Sequence, residues 1–344
     1  MQTDTDRISG SLSRERLTSV PMCPHANPEA TRRIEPVEIY LPIADLPVNV
    51  FLILAMGLGV GFVSGMFGIG GGFLMTPLLI FIGVSPAVAV ATVSSHIAAS
   101  SFSGAIAYWR RRALDLALAL MLLAGGIAGT VAGVLLFTEL RLLGQLDLTI
   151  QVSYVVLLGS VGAMMVTEGL WAMLRLRGGK PSPSRRSGSH TWVHRLPLKI
   201  RFKQSRIYVS AIPVCLIGFI IGFVGAIMGI GGGFLLVPML IYFLRVPTNV
   251  VIGTSMVLTL ITMASATILH AATNHLVDAV LALILMVGGV TGAQFGARTG
   301  QKIGGEKLRL LLGVLVLAVG LRFAFDLIVM PDDLYTIRTL EDAP

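Results

Sequence analysis

Gly61-Phe62-Val63-Ser64-Gly65-Met66-Phe67-Gly68-Ile69-Gly70-Gly71-Gly72-Phe73-Leu74 recurs 161 residues later as Gly222-Phe223-Val224-Gly225-Ala226-Ile227-Met228-Gly229-Ile230-Gly231-Gly232-Gly233-Phe234-Leu235. Both copies set three glycines in a row inside apolar sequence. The register continues outward: Pro77 and Pro86 fall on Pro238 and Pro247, and Ser94 on Ser255. After a slip of two residues, Asp115, Gly125, Gly126, Gly129 and Gly133 fall on Asp278, Gly288, Gly289, Gly292 and Gly296. Agreement in order over so many positions identifies a duplicated unit.

The solvent of that unit follows from composition. Of 344 residues, 54% are hydrophobic and 13% charged, with a mean hydropathy of +0.83. A soluble domain carries about 25% charged residues, so this chain has too little polar surface to coat a globule in water. Apolar segments run over 48–67, 72–83, 87–109, 114–137, 149–174, 207–228, 233–244, 248–271, 277–297 and 307–330. Most reach the ~20 residues that cross ~30 Å of hydrocarbon. The segments 72–83 and 233–244 are too short, start at the glycine clusters and contain Pro77 and Pro238. In lipid a segment satisfies its own backbone only as a helix, so strand readings of the Val/Ile-rich stretches are excluded. The expected fold is an all-α polytopic membrane protein of two five-segment repeats, each with a Gly-rich broken or re-entrant helix. The organisation is a disordered polar tail (1–47), a first repeat (48–174), a basic cytoplasmic linker (175–206), a second repeat (207–330) and an acidic tail (331–344). No cleavable signal peptide is visible in residues 1–40.

Charge sets the orientation. The net charge is +8, and ten of the 26 basic residues lie between Arg175 and Arg206, with three more in Arg110-Arg111-Arg112. Basic runs flanking apolar segments mark the cytoplasmic side rather than a nucleic-acid surface. With those loops inside, 138–148 and 272–276 are outside, 298–309 is inside, and the acidic tail is outside. Each repeat has an odd number of segments, so the second enters the membrane inverted, an arrangement common in secondary transporters. Cys23 and Cys215 are far apart, and His96, His270 and His275 are scattered, so neither a disulfide framework nor a metal site is expected. No cofactor is expected either.

The candidate site is built from the glycines. Gly70, Gly71 and Gly72, with Gly231, Gly232 and Gly233, interrupt their spans and open short helices at Phe73 and Phe234. A helix N-terminus carries unpaired N–H groups and about half a positive charge, so two of them meeting at midplane would hold an anion without a buried Arg or Lys. Close packing of small residues is the plainer reading of glycine in a membrane helix, but three in a row followed by proline fit a break. Thr92, Ser94, Ser95 and His96, with Thr254 and Ser255, are polar groups inside apolar segments that can donate to an oxyanion. The imidazole of His96 also titrates near neutral pH. The plainer reading of the hydroxyls is a bond to a carbonyl one turn back. Asp115 and Asp278 read as helix caps, Gly125–Gly133 and Gly288–Gly296 as packing faces, and Arg322 with Asp326 as a pair on one helix face. The strand context that a nucleotide-binding glycine loop needs is absent.

The doubled Gly-Phe-x-x-Gly/Ala-x-x-Gly-Ile-Gly-Gly-Gly-Phe-Leu-x-x-Pro motif resembles the TauE/SafE family of membrane transporter proteins. So do the stretches Val90-Ala91-Thr92-Val93-Ser94 and Val251-Ile252-Gly253-Thr254-Ser255. The resemblance covers about 48–330. It implies a multi-pass permease of the bacterial inner (cell) membrane, a sulfite exporter-like carrier of small sulfur-containing anions such as sulfite or organosulfonates. The halves differ at Ser94-Ser95-His96, where the second has Ser255-Met256-Val257.

Three function classes compete. A secondary transporter working by alternating access is favoured by the inverted repeat and the broken helices. An anion channel would share the architecture but more often builds its pore from several copies, and a carrier for a different small metabolite would share the whole scaffold. An enzyme would need a constellation such as His-Glu-x-x-His or a Ser/Lys dyad, and neither is present. The expected partners are a small anionic substrate and the lipid bilayer, with a coupling proton or sodium ion and a homodimer left open, and no nucleic acid.

Overall fold

A computed structural model describes residues 38–67, 70–110, 114–177, 199–202, 207–240, 248–300 and 305–328. Among them are ten α-helices: α1 Val50–Phe67, α2 Gly72–Phe81, α3 Pro86–Arg110, α4 Leu116–Leu142, α5 Leu146–Arg177, α6 Ala211–Met228, α7 Gly233–Met239, α8 Thr248–Leu269, α9 Ala279–Gly300 and α10 Gly305–Ile328. A π turn, His270–Asn274, continues α8. Seven helices are long and apolar enough to cross a membrane: α1, α4, α5, α6, α8, α9 and α10. The fold is all-α and polytopic. α3 has the length, 25 residues, or ~37 Å at 1.5 Å per residue. It is too polar for that set because Thr92, Ser94, Ser95, His96, Ser100 and Ser101 are all buried on it. Helix α2 has 10 residues and α7 has 7, so both are half-spans. α7 ends sooner than the segment 233–244, whose end lies outside the described residues.

α3 and α8 form the middle of the bundle. Residues 88–97 of α3 are buried all round, which is why that helix tolerates polar residues that lipid would reject. The other long helices pack in pairs around them: α1 on α9, α4 on α6, and α5 on α10. Glycine makes two of these crossings backbone to backbone. A Cβ on Gly125, Gly129 or Gly133 would strike Cys215, Phe219 or Phe223 of α6, and one on Gly288, Gly292 or Gly296 would strike Leu54, Leu58 or Phe62 of α1. Those two sets of partners are 161 residues apart, the same offset as the sequence repeat. Numbers rise together along α1 and α9 and along α4 and α6, so each pair is parallel. They run oppositely on α5 and α10, where Gly162 faces Leu317 and Gly169 faces Leu310. They also run oppositely on α3 and α8, where Ile97 and Thr259 pack on the same glycines and Gly104 faces Met256, so these two equivalent pairs are antiparallel.

Two short antiparallel strand pairs precede the halves. β1 (Glu38–Leu41) pairs with β2 (Leu46–Asn49), Glu38 opposite Asn49. β3 (Lys199–Phe202) pairs with β4 (Ile207–Ser210), Lys199 opposite Ser210. The registers again differ by 161. Residues 38–47, which the sequence reading put in the polar tail, and 199–202, which it put in the linker, carry this strand structure. The physical reason is that Leu41 is fully buried in the core while the pairing satisfies the strand backbone at the ends of the bundle. The turn between β1 and β2 is tied down: Ile43 N–H donates to Asp278 Oδ2 at 3.1 Å. Asp278 Oδ1 accepts from Val280 and Leu281 N–H at 3.1 and 3.0 Å, capping α9 as expected. Asp115 accepts from Leu118 N–H at 3.3 Å and caps α4. Residues 1–37, most of the linker and the acidic tail lie outside the described residues.

Candidate functional site

The two glycine turns sit side by side at mid-depth. α6 ends on Gly229, whose φ of 64° is left-handed, the usual glycine stop of a helix. Gly231 and Gly232 follow at φ 68° and 27°, and in the first half Gly70 and Gly71 lie at 95° and 71°. A side chain is strained at such angles. The turns touch through backbone: a Cβ on Gly72 would lie 2.6 Å from the Gly229 carbonyl oxygen and 2.8 Å from that of Ile230, and one on Gly70 would lie 3.5 Å from that of Gly231. Phe73 and Phe234, the first residues after the two triplets, stack with centroids 4.8 Å apart. Ile97 and Thr259 pack against the glycines, and each lies near the middle of its helix, α3 or α8. The heads of α2 and α7 therefore meet at the centre of the bundle.

Side chains from elsewhere satisfy the carbonyls of the second break. Thr76 Oγ1 donates to Gly229 O at 3.3 Å, Thr259 Oγ1 to Gly231 O at 3.4 Å, and Tyr154 Oη to Met228 O at 2.6 Å. The buried Ser64 packs under Gly71, 2.9 Å from where its Cβ would be. None of these four was singled out from sequence. Thr76, Thr259 and Tyr154 reach the second break from 28 to 153 residues away, and a hydroxyl in an apolar run is not marked by periodicity.

The polar residues chosen from sequence divide into two groups. Ser94 donates to Val90 O at 2.9 Å, Ser95 to Thr92 O at 2.6 Å and Ser255 to Ile252 O at 2.8 Å, all within their own helix. Thr92 Oγ1 accepts from Asp278 N–H at 3.1 Å, joining α3 to the head of α9. His96 and Thr254 are different. The His96 ring is fully buried against Gly289 of α9, with Nδ1 2.8 Å from Leu285 O. A carbonyl only accepts, so Nδ1 carries the proton in the neutral ring and Nε2 presents a lone pair. That Nε2 and the hydroxyl of Thr254 are buried with no protein partner. Among the described residues there is no group of His, Cys, Asp and Glu able to hold a metal ion.

Comparison with known proteins gives this geometry a family. The chain matches the family described as sulfite exporter TauE/SafE over residues 53–323. It is similar to a probable membrane transporter protein of Xylella fastidiosa (strain 9a5c), 33% identical over 282 residues that cover 78% of this chain and 94% of that one. The probable membrane transporter protein YjnA of Bacillus subtilis (strain 168) is 27% identical over 273 residues, 78% and 98% of the two chains. Sulfite exporter TauE/SafE family protein 1 of Arabidopsis thaliana shares a 60-residue stretch at 45% identity, 17% of this chain and 13% of that one. No solved structure matches the chain. The matched region runs from α1 to α10 and takes in both glycine turns, and on that ground the chain belongs to the sulfite exporter TauE/SafE family of multi-pass membrane transporters.

Proposed function

We propose that the protein is a secondary transporter of the bacterial inner membrane that carries a small anion, sulfite or an organosulfonate, by alternating access. The observation that supports this most is the meeting of the two glycine turns where α2 and α7 begin. First-turn N–H groups and the positive ends of two short helices converge there, and the sequence places no Arg or Lys within the adjoining spans away from their ends. Such a site suits a monoanion, because dipoles and hydroxyls compensate a second buried charge poorly. The anion sits against the backbone of Gly70–Gly72 and Gly231–Gly233. Thr254 and the hydroxyls of Thr92, Ser94, Ser95 and Ser255 are donors in reach as α3 and α8 shift. The open Nε2 of His96 accepts a hydrogen bond from the protonated form of the cargo.

The antiparallel pairing of α3 with α8 and of α5 with α10 supports an inverted repeat, and with it alternating access. Two equivalent packings of one half against the other then open the centre to opposite sides. Ile97, wedged between the turns, has to leave for the anion to enter. A counterflow screen of sulfite, sulfoacetate, taurine and thiosulfate in proteoliposomes tests the reading. One of these anions is expected to exchange with saturable kinetics and trans-stimulation. Unsaturable flux would make the protein a channel, and no flux of any of the four would remove the substrate class.

A further inference from the structure

His270, at the end of α8, is fully buried and bonded at both nitrogens. Nε2 lies 3.2 Å from the carbonyl oxygen of Ala226, in the last turn of α6, and Nδ1 lies 3.3 Å from Asn274 Nδ2. A carbonyl only accepts and an amide NH2 only donates, so Nε2–H donates to Ala226 and Nδ1 accepts from Asn274. Asn274 Oδ1 accepts from Thr138 Oγ1 at 3.2 Å, and that same hydroxyl lies 2.9 Å from Val134 O. Asn274 Nδ2 is also 3.0 Å from Thr273 Oγ1, whose own proton goes to Leu269 O at 2.7 Å. The Asn274 backbone is held by Arg141 Nη1, 2.9 Å from its carbonyl oxygen, while its side-chain amide is free to turn over.

The network has a second, fully bonded state. With a proton added to Nδ1 and the Asn274 amide reversed, Nδ1–H donates to Oδ1 and Nδ2 donates to Thr138 Oγ1. The Thr138 hydroxyl proton then goes to Val134 O, and the Thr273 hydroxyl swings from Leu269 O to Oδ1. Nε2–H keeps Ala226 throughout. One proton comes from water and one positive charge appears on the ring. That charge lies against the C-terminal carbonyls of α6, where the helix dipole favours a cation, and Ala226 is three residues before Gly229. Thr273 and His275, at the end of the π turn, are exposed and give water a short route in.

We propose that His270 carries the coupling proton of the transport cycle; this rests on the transport reading above. A proton on His270 favours an anion at the glycine turns, and by linkage the anion favours the proton equally. The other titratable groups on the surrounding elements are otherwise engaged or turned away. Arg141 of α4 holds Asn274, and Tyr154 of α5 holds Met228 O. Asp278 caps α9 and His96 of α3 bonds Leu285, while Glu139 and His275 are exposed. On α6 the one titratable side chain is Cys215, two turns or more from Ala226. His96 makes the weaker carrier in the empty protein, because a proton on its Nε2 would meet no protein acceptor.

The test uses the full chain in proteoliposomes with radiolabelled sulfite as probe. His270→Gln keeps both neutral bonds, its amide N–H on Ala226 and its oxygen facing Asn274, and cannot be protonated. The expected result is sulfite counterflow within about twofold of wild type, with sulfite accumulation under an imposed pH gradient reduced at least about tenfold. In wild type KM falls toward acid pH. In the variant the part of that change due to the protein, read as the difference between the two since the probe titrates alike for both, is gone. Gradient-driven accumulation equal to wild type would overturn the proposal, as would loss of the pH response in His96→Gln but not in His270→Gln. Absence of counterflow in wild type would overturn the transport reading and this one with it. If His270→Gln is not recovered in the membrane, Thr138→Val decides: it removes the donor to the amide oxygen in one state and the acceptor of the amide nitrogen in the other, and should move the midpoint of the KM profile. A midpoint that stays put would overturn the proposal.

Discussion

Alanine at Gly289 sets one new methyl group against one side chain. The three nearest heavy atoms to a Cβ there all belong to His96: Cε1, then Nδ1 at 2.6 Å and Nε2 at 3.0 Å. Non-bonded carbons settle at ~3.5–4.0 Å, so the imidazole has to retreat by ~1 Å or more. That retreat breaks the 2.8 Å bond from Nδ1 to Leu285 O. Overfilling a packed site costs about 1–3 kcal/mol, and the lost hydrogen bond adds about 0.5–1.5 kcal/mol. Gly289→Ala should therefore destabilise by about 1.5–4.5 kcal/mol. In a His96→Ala background the obstacle is gone, and the same substitution should be neutral or stabilising by up to ~1 kcal/mol, since alanine is the better helix former. The four proteins of this cycle are compared by thermal unfolding in detergent, followed by fluorescence-detected size-exclusion chromatography. Gly59→Ala, with nothing within 4 Å of its Cβ, reports the effect of alanine alone. Penalties for Gly289→Ala that agree within ~0.5 kcal/mol in the two backgrounds would show that His96 does not lie on α9, and would remove it from the site.

Gly129→Ala and Gly292→Ala each drive a Cβ into a carbonyl that cannot yield, Phe219 O and Leu58 O. Each should cost about 1–3 kcal/mol in the same thermal assay, with Gly159→Ala, which has open space, unaffected. Gly71→Leu and Gly232→Leu put a side chain at a left-handed backbone and against Ser64 or Ile221; both should reach the membrane and lose counterflow, and wild-type exchange in both would refute the site. Cysteines at Gln145 and His275 should label from outside and one at Ser187 only from inside. His275 is the position to use because Asn274 is buried, and outside labelling at Ser187 would refute the charge-based topology.

Helix positions were readable from sequence because they rest on period and length alone. The predicted start of α2, the long span of α3 and the end of α6 each agree with the structure to within a residue or two. The breaks at Gly70–Gly72 and Gly231–Gly233 were readable because few other local arrangements call for three glycines before a proline. The strand pairs were not. β1 and β2 are four residues each, contain Pro47, and are held in part by Asp278, more than 200 residues away. The candidate site was half legible for the same reason. His96 stands out as a histidine in an apolar run, whereas Tyr154 and Thr76 gain their roles only from Met228 and Gly229 across the bundle. His270 looks like a loop residue at the end of its segment, and only the π turn brings Asn274 back onto its ring.

The parallel pairing of α1 with α9 and of α4 with α6 bears on how the chain is made. The notch cut by Gly57, Gly61 and Gly65 in α1 is filled by Leu285, Gly289 and Ala293, about 230 residues later in synthesis. At 5–20 residues per second the first helix waits roughly 10–45 s for its neighbour. During that time its small-residue stripe faces lipid or whatever the insertion machinery supplies. Neither half is a finished object when it leaves the ribosome, since each keeps one flank open for the other. The two halves are therefore not self-sufficient units set end to end. They form an interlocked pair whose later helices complete the packing of the first, so a truncation that removes α9 would leave the N-terminal spans inserted but without their partners, exposed to membrane proteolysis.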